Sequence, residues 1–279
     1  MIAYLDTNVF DHLYKKIGCT GADIANLRKA IYGRQLSVPL SIHTLEEIML
    51  VGKVRPEWMV AQVKLTLSIA SFRRLVKPCD QLLADDIRAY AARGEADRPY
   101  LGADIQNVIS AGISELVETD GEELDEEMVE ALKEMRRRKE RFRAGMRKSQ
   151  EETEQIAKSM SGQVTFEQYL ELAAPGVAET FAQRAGVLEA CKQRGIEGLL
   201  EIKSVRMSVG AALSLIYGQA FEGWSPKLGD SADLFHAASA AAVADVFVTN
   251  DQRLRQALAR VPFDGFEVID LPGFLARLP

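Results

Sequence analysis

The chain holds only three cysteines and three histidines in 279 residues, and neither type is clustered. Cys19, Cys79 and Cys191 lack the close pairs of zinc ribbons and thioredoxin-like redox sites, which leaves them as buried or incidental thiols. His12, His43 and His236 are equally scattered, so a histidine-rich zinc centre has no support. Any metal must rely on oxygen ligands, the preference of magnesium and manganese. No apolar run approaches the roughly 18 residues needed to cross a bilayer. The opening MIAYLDTNVF also lacks the basic start and cleavage signal of a secreted precursor. These absences predict a cytoplasmic protein with no membrane partner. Neither a fixed-period repeat nor a low-complexity tract is present, which excludes an evident solenoid. Positive charge is in deficit as well: a net charge of -6 argues against broad, nonspecific adhesion to nucleic acid. It leaves room for a local basic patch, and for a carboxylate cluster that is neutralised only when cations bind.

What is present is an alternation of short apolar runs and amphipathic stretches, the pattern of an α/β fold. Ile2 to Leu5 reads as a buried first strand ending at Asp6-Thr7-Asn8, followed by helix to about Ile31. Leu36 to Pro39 suggests a second strand and Thr44 to Val51 a helix carrying Glu47. Pro56 to Ser71 has helical recurrence, Phe72 to Val76 reads as a strand and Asp80 to Arg93 as a helix. Near the other end, helix Ala232–Ala244, strand Asp245–Thr249, helix Gln252–Arg260, strand Phe266–Ile269 and a short helix from Leu271 to Leu278 follow in turn. Residues 100–220 change texture to long, charge-rich, helix-compatible sequence interrupted by Pro175. The expected division is a domain made of residues 1–99 and 221–279, with residues 100–220 as a helical insertion that binds substrate or a partner.

In an open parallel sheet, chemistry gathers beyond the carboxyl ends of the strands. Asp6 and Asp251 follow two such strands, while Glu47 and Asp233 approach from adjoining helices, so four acids distant in sequence can meet. Carboxylates that meet hold the cations needed for phosphodiester hydrolysis. Without metal they repel, and some have raised pKa values.

LDTNVF, the S-x-x-T-x-x-E spacing of Ser41, Thr44 and Glu47, D-L-F-H-A-A from Asp233 and V-T-N-D ending at Asp251 together resemble the motifs of PIN-domain nucleases, in the same order. The resemblance covers roughly residues 1–95 and 228–279. It implies a PIN-like three-layer fold around a parallel sheet and metal coordination by Asp6, Asp233 and Asp251. Glu47 then positions metal or water, and Asp230 is a candidate fifth acid. Thr7, Asn8, Thr249 and Asn250 are expected to orient carboxylates or water through hydrogen bonds. The implied activity is a Mg²⁺- or Mn²⁺-dependent endonuclease acting on RNA, with DNA as a second substrate class. Homodimers and toxin–antitoxin pairs occur in the family, but nothing in these residues points to an antitoxin, and the chain is longer than simple toxins.

Plainer readings stand beside these. Asp6, Asp233 and Asp251 also suit helix caps or first turns, and Glu47 suits a helix surface beside Glu46. His236, one turn beyond Asp233 on an alanine-rich face, suits a packed or hydrogen-bonded core histidine at least as well as a ligand and is left out of the metal set. Asp104 reads as a solvated or capping acid, since no V-T-N-D strand follows it. The basic run containing Arg136, Arg137, Arg138, Arg141 and Arg143 is either an RNA contact or a solvated helix face paired with the acidic run from Glu115 to Glu130. The whole chain has two alternatives: a noncatalytic nucleic-acid or protein-binding module of the same fold, and a small-molecule phosphohydrolase. The latter is weakened by Asn8, which stands where a haloacid-dehalogenase-type motif needs a second aspartate.

Overall fold

Ala3, Tyr4 and Leu5 are buried on every side, and that burial decides the architecture. In the computed structural model, which describes residues 1–52, 56–118, 130, 133, 134, 137, 140, 141, 144, 164–225, 227 and 229–278 without the side chains of 51, 52, 56, 71–73 and 231, they form β1 (Ala3–Leu5). β1 pairs in parallel with β4 (Val246–Val248), which pairs in parallel with β5 (Glu267–Ile269). A second parallel pair joins β2 (Pro39–Ser41) to β3 (Ser71–Val76). A parallel bridge between Ile2 and Ser37 sets the two groups edge to edge, so the strands run β3-β2-β1-β4-β5. The fold is mixed α/β, dominated by helices around this small parallel sheet.

Interior parallel strands are covered on both faces and therefore read as continuous apolar runs. Ala3, Leu5, Val246 and Val248 enter one core with α1 (Thr7–Lys15), α2 (Gly21–Tyr32), α3 (Ile42–Gly52), α4 (Pro56–Ile69) and α6 (Ala103–Glu118). Tyr4 and Phe247, pointing the other way, enter a second core with α10 (Lys203–Phe221), α11 (Asp230–Val243) and α12 (Gln252–Ala259). A third core joins α5 (Cys79–Arg93) to α7 (Phe166–Arg184), α8 (Leu188–Arg194), α9 (Ile196–Leu199) and α10. Packing thus runs on past residue 100 and before residue 220: Ile113 and Leu116 of α6 share a core with β1, and Met207, Ala211 and Leu215 of α10 share one with Tyr4.

The second strand begins three residues later than the apolar run suggests. Pro39 has no N–H to give the ladder and sits at the strand's first position, where this costs least. Helix α3 starts at Ile42, earlier than expected, because the Ser41 hydroxyl accepts the Thr44 N–H at 3.1 Å. Pro175 does not end α7, which continues through it. α13 (Leu271–Leu275) closes the chain, capped by Asp270. Among the described residues no helix is long and apolar enough to cross a membrane.

Candidate metal centre

Asp6 follows β1 at the N-cap position of α1, yet its carboxylate makes no capping bond. The side chain is spent elsewhere. Its Oδ2 accepts from the Thr249 hydroxyl at 2.6 Å and from the Asn8 amide. The same Thr249 oxygen accepts from Asn8 Nδ2 at 3.1 Å and from the Asp251 N–H at 3.2 Å. One carboxylate oxygen is therefore fixed by the protein, while Oδ1 looks towards His236 Nε2, 3.8 Å away.

His236 is fully buried and lies one turn after Asp233 on α11. Its Nδ1 meets the Tyr4 hydroxyl at 2.8 Å, and Tyr4 donates onward to Ser41 at 2.6 Å. With the Tyr4 proton committed to Ser41, Nδ1 is the donor in its bond to Tyr4. At the other end, Nε2 is approached by Glu47 Oε2 at 3.0 Å and Thr7 Oγ1 at 3.2 Å, with Asp6 beyond. Three oxygens converge on a nitrogen that carries at most one proton. Burial opposes charge on the ring, but Tyr4, Glu47 and Asp6 outweigh it and hold the imidazole well above its ordinary pKa.

Asp6, Glu47 and His236 each offer one ligand atom, all within 4.8 Å of one another. Two carboxylates and an imidazole make a mixed oxygen and nitrogen donor set that could hold a metal ion. Burial pushes the Asp6 carboxyl above its usual range, with His236 and Thr249 acting against that shift. Asp233 lies well above its usual range through burial and then through repulsion by Asp6 and Asp251. Asp6 thus belongs to two groups, one with Glu47 and His236 and one with Asp233 and Asp251.

No protein-family model, no curated protein and no solved structure matches the chain. The reading of the centre rests on its own geometry.

The sequence-derived residues divide as follows. Asp6 and Glu47 stand in the ligand set, and Asp233 shares their field. Asp251 is close enough to raise Asp233, but its Oδ1 also caps α12 by accepting the Leu254 N–H at 2.9 Å. Asp230 is buried, and its Oδ2 accepts the Lys227 N–H at 2.8 Å and Arg253 at 3.3 Å. Burial raises its pKa in spite of both partners. Thr7 touches His236, and Asn8 and Thr249 hold Asp6. Asn250 ties the loop together instead: its N–H donates to Asn8 Oδ1, its Oδ1 accepts the Leu271 N–H, and its amide meets His12.

His236 is the ligand candidate that sequence patterning leaves out. It is both a core residue and a member of the donor set, and its three-residue spacing from Asp233, which puts both on one helix face, was the available signal. Arg137 and Arg141 have exposed side chains and pair with Glu130 and Glu134, the latter at 2.6 Å from Arg141. Arg136, Arg138 and Arg143 lie outside the described residues.

Proposed function

We propose that the chain is a metal-dependent endonuclease of PIN-like fold that hydrolyses RNA, with Mg²⁺ or Mn²⁺ at the acidic centre. The observation that carries this reading is the meeting of Asp6, Glu47, Asp233 and His236, with Asp251 beside them, at the carboxyl ends of the central parallel strands. Buried carboxylates raised by one another are costly in a structural core and useful where cations are held. A three-layer arrangement around strands ordered β3-β2-β1-β4-β5, with the remaining helices as an added region, agrees with the motif resemblance.

Asp6, Glu47 and His236 would hold a cation, with Asp233 and Asp251 available to hold a second or to complete the first. A divalent cation supplies Lewis-acid chemistry, activating water and screening the charge of the phosphodiester. Asn8 and Thr249 keep Asp6 turned so that Oδ1 faces the centre. Tyr4, Ser41 and Thr44 fix the His236 ring, leaving Nε2 as the only nitrogen that faces it. Glu47, with about 20% of its side chain exposed, orients the attacking water on the solvent side. The net reaction consumes one water and breaks one P–O bond per cut.

The test is incubation of the purified protein with single-stranded and structured RNAs in Mg²⁺ or Mn²⁺, beside EDTA and a folded Asp6→Asn variant. Cuts that vanish in both controls support the nuclease reading. RNA binding with no turnover across the panel moves the assignment to a noncatalytic module of the same fold.

A further inference from the structure

A cavity of about 490 Å³ adjoins the acidic centre, lined by Lys227, Asn250, Asp251, Gln252, Arg253 and Gln256. Asp251 is the wall it shares with the centre, and among the described residues every other side chain in the lining is a cation or an amide. Arg253 is held in place: one guanidinium nitrogen donates to the Ser225 carbonyl at 2.7 Å, another to Asp230 at 3.3 Å, and the group lies over the Trp224 ring at 5.1 Å. Its Nε–H is buried with no hydrogen-bond partner among the described residues. Gln252 opens α12, whose first-turn amides add partial positive charge at the same end. Lys227 and Gln256 are exposed.

The charges here sort by commitment. Asp230 is occupied by Arg253 and the Lys227 N–H, and Asp251 by the Leu254 N–H and the centre. Once a divalent cation neutralises the centre, Lys227 leaves the cavity net positive. Among the described residues, no aromatic ring that would suit a base by stacking lines it. Fixed guanidinium, ammonium and amide donors suit phosphate oxygens.

We infer that this cavity is a subsite for a phosphate of the substrate strand adjacent to the one that is cut, held by Lys227, Arg253, Gln252 and Gln256. The inference rests on the nuclease reading of the neighbouring acids. It places the strand across the N-terminus of α12, and it gives the acidic chain a local anion site independent of the arginine-rich run.

The test measures binding of a single-stranded, cleavage-resistant phosphorothioate RNA analogue to the parent protein in Mg²⁺ at several salt concentrations. A Lys227→Glu, Gln256→Glu double variant should bind at least about tenfold more weakly, with a salt slope shallower by about 0.7 for each phosphate that the protein no longer neutralises. Lys29→Glu, an exposed reversal on α2, should change neither. Binding unmoved by the double variant, or no RNA binding even at low salt, overturns the subsite. Saturation of the cavity by inorganic phosphate with which RNA does not compete overturns it too, in favour of a small-anion site. The cleavage assay fails or succeeds separately: RNA held through Lys227 but never cut removes the nuclease and keeps the phosphate site, whereas cutting with indifferent binding does the reverse.

Discussion

The hydroxyl of Thr249 lies 2.6 Å from Oδ2 of Asp6, joining the ends of two neighbouring parallel strands across 243 residues of sequence. Together with the Asn8 amide, that bond sets which way the Asp6 carboxylate faces. Thr249→Val keeps the shape and removes the donor. Metal affinity should fall by about 10- to 100-fold, the usual effect of losing a partner that orients a ligand. Calorimetric titration with Mn²⁺ checks this, and unchanged affinity in the folded variant would detach Thr249 from the centre.

Repulsion among the acids is a cost to the metal-free fold. Asp233→Asn removes a buried carboxylate that Asp6 and Asp251 already push upwards. It should therefore raise Tm in EDTA, by roughly 2–4 °C for each kcal/mol recovered, while weakening the stabilisation that Mn²⁺ gives the parent protein. A variant that melts lower in EDTA would show Asp233 serving packing instead of binding.

Acidity should compete with the metal. Asp6 and Asp233 are raised from 3.8 and His236 is raised from 6.5, so in the folded protein all three keep protons to higher pH than in the unfolded chain. Each contribution to folding is then full below the unfolded pKa and is lost as pH rises through the folded one. The metal-free protein should lose stability on going upwards from these ordinary values, the reverse of a salt-bridged aspartate. Cation binding, which needs the protons gone, should strengthen over the same interval. Melting curves with and without Mn²⁺ between about pH 5 and about pH 9 resolve the two trends; a metal-free Tm that climbs with pH contradicts the first, and a cation-induced rise that is largest at the acid end contradicts the second.

The imidazole at the centre bears on the choice of ion. Nitrogen ligands favour manganese over magnesium, whereas an all-carboxylate site is closer to indifferent. His236→Gln should narrow the preference for Mn²⁺ in both affinity and cleavage. Parallel titrations with the two ions measure it, and an unaltered ratio places His236 outside the coordination shell as a positioning residue for Glu47.

Most of this centre was legible in the sequence, and the part that was not has a common cause. Asp6 and Glu47 announce themselves because each follows a strand or lies near a helix start, and such positions are local features. The helices from Cys79 to Arg93 and from Asp230 to Val243 were likewise legible in periodicity to within one or two residues. His236 was not: a histidine amid alanines looks like core, and it is core, since Tyr4 and Glu47 reach it from elements 232 and 189 residues away in the chain. Strand β2 slipped because Pro39 constrains where pairing can start, which hydropathy does not report. The cavity beside Asp251 had no sequence signature, because Lys227 and Gln256 are ordinary surface residues until folding sets them around Arg253.

Gly218 offers a way to disturb that cavity from behind. A Cβ at this position would fall inside the ring of Trp224, which also lies beneath the guanidinium groups of Arg253 and Arg260, each 5.1 Å from its centre. The glycine is needed for close approach, since Trp224 also donates its N–H to the Gly218 carbonyl at 3.0 Å. Gly218→Ala should therefore cost about 1–3 kcal/mol, the range for forcing extra volume into a packed interior. It should also shift Trp224 fluorescence, read cleanly in a Trp58→Phe background because the chain has only these two tryptophans. The displaced ring frees Arg253, so RNA affinity falls along with stability. Stability reduced with affinity intact would mean that Arg253 is held by Asp230 and Ser225 alone, and that the stack on Trp224 serves the fold and not the cavity.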